Sequence, residues 1–294
     1  LLFYRSLLRK YRPKAVLTYT IKPNIYGALA ARMARIPCLA NITGLGTTLE
    51  HGGPLQRLIL LMYRTALKKA KCVFFQNEGN RDFLERKGCI AGRARVIPGS
   101  GVNLQEHCAE EYPQMEEKTA FVSIMRLMKD KGIDELLYAA ERIHARHPGT
   151  VFQLLGAYEE ESRAHYEPLV QRLIGLGCLE YYGYRDDVPA FLKGCQAVVH
   201  PSYHEGMSNV LLEAAASARP VLASAVPGCL DTFQDGIGGI AFPPRDGDGL
   251  VEALERFLAL PWEERRRMGQ AGRQFVEERF DRKLVVAAYM EELG

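Results

Sequence analysis

Short apolar runs alternate with helix-forming stretches along almost the whole chain, and this alternation restricts the fold more than any other feature. From the amino end the sequence predicts a helix over 1–11, a strand at AVLTYT (15–20), a helix over 24–35 and a strand at CLANIT (38–43). A glycine-containing loop over 44–54 leads to a helix over 55–70, a strand at CVFFQN (72–77), a helix over 78–87 and a strand at ARVIPGS (94–100). Short apolar strands separated by helices belong to parallel sheets covered on both faces. The pattern pauses in a polar stretch carrying Pro113 and restarts at TAFVSIM (119–125). A helix over 133–146 follows, then TVFQLLG (150–156), a helix over 159–174, LEYYG (179–183) and a short helix over 187–193. AVVHPS (197–202), a helix from 208, PVLASA (220–225), GIAFPP (239–244) and helices over 247–259 and 262–291 complete the second half. The expected fold class is α/β, with two doubly wound Rossmann-like domains. Their bounds are 1–110, a linker over 111–118, and 119–275, with 276–294 as a C-terminal helix. The first domain is expected to be incomplete: it has few strands, and the chain opens on LLFYRSLLRKYRPKA without an initiator Met.

Charge separates the same two halves. Residues 1–110 hold 18 Lys and Arg against 6 Asp and Glu, whereas residues 111–294 hold 20 against 29. A basic half favours an anionic partner such as a lipid diphosphate or an acidic membrane leaflet. Nucleic acid is not expected, because no basic patch is interleaved with stacking aromatics. The seven cysteines are scattered without a CxxC pair, which points to reduced thiols rather than a disulfide framework or a zinc knuckle. No window approaches 18 uninterrupted apolar residues, so no membrane-spanning helix is expected.

Chemistry concentrates in HEGMSNVLLEAA, which Glu205 and Glu213 bracket. A helix beginning near Ser208 would present its first amide hydrogens and positive dipole end to a phosphate. Eight residues of helix rise correspond to about 12 Å, the length of an extended nucleotide-sugar. At the exit of the first strand of the second half, MRLMKDKG carries Arg126 and Lys131, two cations suited to a diphosphate, with Gly132 permitting a tight turn.

MRLMKDKG, YYGYRDDVPAFL, HPSYHEGMSNVLLEAAA and ARPVLASAVPGCLDTF, in that order, resemble the second domain of family-4 retaining glycosyltransferases of the GT-B fold. TYTIKPNIYGALAAR and ANITGLGTTLEHGG are similar to the bacterial branch that builds capsule, O-antigen or other lipid-linked oligosaccharides. The resemblance implies two Rossmann-like domains facing across a cleft, with 1–110 on the acceptor side, 119–275 binding the donor, and the C-terminal helix returning to the first domain. It implies transfer of a hexose or N-acetylhexosamine, with retained configuration, from a nucleoside-diphosphate sugar, by family weight a UDP-sugar. The implied acceptor is a polyprenyl-diphosphate-linked or other saccharide, and the implied location is the bacterial cytoplasm, peripheral on the membrane face. Residue by residue, Arg126 and Lys131 match the pair holding the donor diphosphate. Glu205 lies near the donor sugar as a positioning and charge-balancing catalytic group, and Glu213 takes the ribose hydroxyls. Met207, Ser208, Asn209 and Val210 offer backbone amides, while Tyr184 and Arg185 flank the base. No metal or other cofactor is implied, the nucleotide-sugar being the donor substrate.

The first half departs from many relatives, which carry a His near the end of the strand corresponding to CLANIT. Here Thr43, Gly44, Leu45 and Gly46 stand in its place, and the glycines permit close backbone approach to a substrate. His51 in the following loop and Lys22 beyond the first strand are further acceptor-side candidates. His200 and His204 are four apart with Pro201 between them, poor spacing for a metal pair, although His204 suits contact with a sugar. Asp246 and Asp248 resemble a DxD metal motif but introduce a helix, so capping is expected. Helix 55–70 joins an apolar stripe to Arg57, Arg64, Lys68 and Lys69; most of the stripe is expected to cover the sheet, and part to rest on a membrane interface. Two other functions stay open: a sugar-nucleotide epimerase of similar fold, and a catalytically inactive nucleotide-sugar-binding protein. An NAD-linked oxidoreductase is disfavoured, because no GxGxxG follows a strand.

Overall fold

The computed structural model describes residues 1–45, 53–114 and 118–294. Contacts divide the chain into two units, Leu1–Gly101 with Arg282–Gly294, and Val102–Asp281.

The first unit comprises α1 (Leu2–Tyr11), β1 (Val16–Tyr19), α2 (Ile21–Ala34), β2 (Cys38–Ile42), α3 (Pro54–Leu67), β3 (Cys72–Phe75), α4 (Glu78–Arg86) and β4 (Arg93–Val96). Its strands form a parallel sheet in the order β1-β2-β3-β4. β2 and β3 are buried along their whole length, as central strands of a two-sided sheet must be. α2 starts at Ile21 rather than residue 24, so Lys22 lies exposed in its first turn and not in a loop beyond the strand. The turn is made at Thr20, whose φ of 65° is unusual for a β-branched residue.

The second unit carries the larger sheet. Its elements are β5 (Thr119–Ile124), a 3-10 turn (Lys129–Lys131), α5 (Ile133–Arg146), β6 (Thr150–Leu155), α6 (Glu160–Gly175), β7 (Leu179–Gly183) and α7 (Val188–Gly194). β8 (Ala197–His200), α8 (Asn209–Ala216), β9 (Val221–Ser224), α9 (Pro227–Leu230), β10 (Gly239–Phe242), α10 (Gly247–Ala259) and α11 (Trp262–Arg279) follow. The strand order is β10-β9-β8-β5-β6-β7, all parallel. Alternate residues serve opposite faces: Phe121, Val199 and Leu222 enter one core, while Val122, Val198 and Val221 enter the other. Phe121 stacks on Phe152 at 5.1 Å and meets Phe257 edge-on at 5.9 Å, tying β5 to β6 and α10.

Strand order reverses between β5 and β8, which pair directly through Phe121 with Ala197 and Val122 with Val198. In such sheets the carboxyl ends of the strands at this reversal are the usual ligand position. Here the loops leaving them are pinned together. The Tyr203 amide donates to the Asp130 carbonyl at 2.9 Å, and Gly132, at φ 75°, sits so close to Pro201 that a Cβ would lie 2.1 Å from its carbonyl oxygen.

The helix expected over 262–291 is two helices. α11 ends at Arg279, and α12 (Arg282–Leu293) begins after a break at Phe280 and Asp281. The Val102 amide donates to the Phe280 carbonyl at 2.8 Å, taking an acceptor that a continuous helix would use internally. α12 packs in the first unit, where Tyr289 lies 4.3 Å from the Phe74 ring and accepts from Asn41 Nδ2 at 2.6 Å. Glu292, almost fully buried, pairs with Arg93 at 3.0 Å and Arg95 at 3.1 Å. The division between units falls at Gly101 and Asp281, against sequence bounds of 110 and 275.

Candidate functional site

Three short segments meet where β5 and β8 end. The 3-10 turn delivers Lys131, the turn after β8 delivers Glu205, and α8 begins beside them at Asn209. Lys131 Nζ lies 2.6 Å from Glu205 Oε1, and the same oxygen lies 3.1 Å from His200 Nε2. Burial alone would raise the Glu205 carboxyl, but its hydrogen bond to His200 and the Lys131 ammonium beside it outweigh this and pull it down to about 2. Near neutral pH the site thus holds an ionised carboxylate against an ammonium group, both side chains largely shielded from solvent.

α8 is capped as its sequence suggests. Ser208 Oγ accepts from the Leu211 amide at 3.5 Å. The Ser208 amide, however, donates to the Gly228 carbonyl at 2.9 Å, so it is not offered to a phosphate as the sequence reading expected. α9 is the cause, a four-residue helix that the periodicity did not reveal. Gly228 on α9 presses on the Glu205–Gly206 backbone, where a Cβ would come within 2.2 Å of the Glu205 carbonyl oxygen. Gly228 is therefore part of the site, although only the PG pair in AVPGCLD hinted at a turn there.

The chain matches the family described as Glycosyl transferases group 1 over residues 106–275, and the Glycosyl transferase 4-like domain over residues 2–99. The chain belongs to the Glycosyl transferases group 1 family. It is 28% identical over 255 residues to the N,N'-diacetylbacillosaminyl-diphospho-undecaprenol alpha-1,3-N-acetylgalactosaminyltransferase of Campylobacter jejuni, covering 81% of this chain and 65% of that one. It is 30% identical over 173 residues to the lipopolysaccharide core biosynthesis glycosyltransferase LpsE of Rhizobium meliloti, covering 59% of this chain and 49% of the relative. The chain therefore spans less than two thirds of the length of either relative. Among solved structures, the HepE protein of Anabaena in complex with UDP superposes with a TM-score of 0.81 at 19% identity, over 99% of this chain and 81% of that one. That likeness shows the GT-B fold.

Against this family frame, the other sequence candidates divide. Lys131 and Glu205 are brought together directly; Arg126 is not joined to them by any contact described, its guanidinium instead pairing with Glu159 at 3.2 Å on an exposed surface. Arg185 is held in two contacts of 2.8 and 2.7 Å to Asp187, beyond the end of edge strand β7, and Tyr184 beside it is 74% exposed. Met207, Val210 and Glu213 are half-buried and Asn209 exposed around the start of α8. His204 is exposed, and its carbonyl accepts from Ser202 Oγ at 3.2 Å. In the first unit Thr43 and Gly44 follow β2, with open space around Gly44; Gly46 and His51 lie outside the described residues. Asp246 caps α10 by accepting from the Gly249 amide at 2.9 Å, and Asp248 accepts from Tyr138 at 2.6 Å, so both carboxylates have structural partners. Among the described residues no group of His, Cys, Asp and Glu is arranged to hold a metal ion.

The sequence reading missed His200 as a site residue because it weighed this side chain only as a metal ligand. Its position at the end of a buried strand, five residues before Glu205, was the available signal.

Proposed function

We propose that the chain is a retaining glycosyltransferase that moves a hexose or N-acetylhexosamine from a UDP-sugar to a polyprenyl-diphosphate-linked saccharide in cell-surface polysaccharide synthesis. One observation carries the reading: Lys131 and Glu205 stand 2.6 Å apart at the point where strand order reverses, next to the start of α8. The ammonium group is suited to exchange its carboxylate partner for the donor diphosphate, and Arg126 to leave Glu159 for the same anion. Amides at the helix start add a positive end to the site. As the glycosidic bond to the diphosphate breaks, charge builds on the leaving oxygen, and these groups stabilise it without a metal. The acceptor hydroxyl approaches from the same face and gives its proton to the departing phosphate. In this reading Glu205 orients sugar hydroxyls, and Glu213 accepts from the ribose. The names of the Campylobacter and Anabaena proteins support the acceptor class and the nucleotide respectively.

Work at the cytoplasmic face of a membrane follows from such an acceptor. The test uses the intact protein with a panel of UDP-sugars, with and without a polyprenyl-diphosphate saccharide. Transfer should require the acceptor and retain anomeric configuration by NMR, Lys131→Ala should lower kcat/KM by about 100-fold, and Glu213→Ala should weaken UDP binding. Isomerisation of the UDP-sugar without acceptor would replace this reading with the epimerase one, and tight UDP binding with no turnover would replace it with an inactive binding protein.

A further inference from the structure

We infer that His200 is a positioning residue for Glu205, holding the carboxylate in place once Lys131 leaves it for the donor diphosphate; the inference rests on the donor site proposed above. His200 closes β8 and is 3% exposed, so its ring is fixed by the sheet rather than by solvent. All its described polar contacts are on one nitrogen. Nε2 lies 3.1 Å from Glu205 Oε1 and 3.2 Å from Ser208 Oγ, while Nδ1 is buried without a hydrogen-bond partner. An Nε2 that carries the ring proton donates a charge-assisted hydrogen bond to the carboxylate, and Nδ1 is left as the bare acceptor.

Two donors thus converge on one carboxylate oxygen, and they differ in freedom. Lys131 sits at the end of a flexible four-carbon stem; His200 is locked in the sheet. When a diphosphate draws the ammonium away, a largely buried carboxylate loses its nearest charge, which is unfavourable unless another donor remains. His200 is that donor. Its second contact, to the Ser208 hydroxyl that caps α8, links the carboxylate on the sugar side to the helix start on the phosphate side. Lys131 and the Cys229 thiol of α9 are the other titratable groups coupled to Glu205 from neighbouring elements.

The tautomer is read directly. Long-range proton–nitrogen NMR of the intact protein should show His200 protonated at Nε2, with and without UDP; protonation at Nδ1 alone would overturn the inference, since Nε2 could not then donate. Kinetics give a second arm. His200→Leu should lower kcat by about 30-fold with donor KM changed less than about 3-fold, because orientation and not affinity is lost. His200→Gln, whose amide nitrogen reaches the Nε2 position, should recover most of that rate. Equal rates for Leu and Gln, or an effect confined to KM, would overturn the role. If the leucine variant does not fold, His200→Gln should still exceed His200→Asn, whose amide falls one bond short, and equality would sink the idea. A wild-type protein that transfers no sugar would count against the proposed activity, and the tautomer would then decide the positioning role by itself.

Discussion

Glu205 shows how a single side chain joins stability to chemistry. Its carboxyl lies at about 2 in the folded chain against an ordinary 4.5, because His200 and Lys131 together overcome the cost of burial. A depressed carboxyl contributes stability that is complete above the unfolded value and is lost as pH falls through the folded one. Between pH 4.5 and 2 the unfolded chain therefore takes up a proton that the folded chain refuses. The shift corresponds to on the order of 3 kcal/mol. Chemical denaturation from pH 7 downward should show Glu205→Gln less stable than wild type at neutral pH, with the gap closing as pH falls through this window. A gap independent of pH would mean that the carboxylate is not held by charge. At this scale the sequence was readable where chemistry is local. Ser208 as a cap follows from residue type and spacing, whereas the use of the Ser208 amide by Gly228 depends on a segment twenty residues away.

Elements were legible in proportion to their length and burial. β3, β8 and β9 are continuous buried runs, and such runs announce themselves in sequence. α9 spans four residues, too few for helical periodicity, and the break between α11 and α12 is imposed by a backbone contact from Val102. Those two misses have different consequences. The break alters only where a helix ends, but α9 forms a wall of the site. Gly228→Ala would set a methyl group 2.2 Å from the Glu205 carbonyl oxygen and 2.9 Å from the Gly206 carbonyl carbon, both backbone and unable to swing away. A loss of about 1–3 kcal/mol is expected from such overpacking, together with weaker UDP binding as the Glu205 turn is displaced. Gly175→Ala, where the added methyl meets nothing within 4 Å, is the control and should be neutral or stabilising. Equal effects of the two substitutions, measured by thermal unfolding and calorimetry, would show that α9 does not press on the site.

Charge and exposed apolar surface matter at the scale of the whole molecule, because the lipid-anchored acceptor proposed above would be met at a membrane. No helix among the described residues is long and apolar enough to cross one. α3 offers a different contact. Its sequence stripe was expected mainly to cover the sheet, and its carboxyl half does so through Tyr63, Ala66 and Leu67. Its amino half does not: Leu55, Leu58 and Leu61 are each more than half exposed, on successive turns of one face. Arg57, Lys68 and Lys69 stand exposed on the same helix and just beyond it, in the basic part of the chain. Apolar side chains backed by cations and no carboxylate suit the interface of an anionic bilayer, where each near-surface cation contributes roughly 1 kcal/mol. Arg64 is less suitable for a test, since its guanidinium donates to the Lys87 carbonyl at 2.7 Å and supports the fold. Replacing Arg57, Lys68 and Lys69 by Glu should lower binding to vesicles containing phosphatidylglycerol by at least about 10-fold while leaving binding to neutral vesicles unchanged. Leu58→Ser with Leu61→Ser should weaken both. If sedimentation shows the charge-reversed protein bound to acidic vesicles as tightly as wild type, α3 is not the docking element.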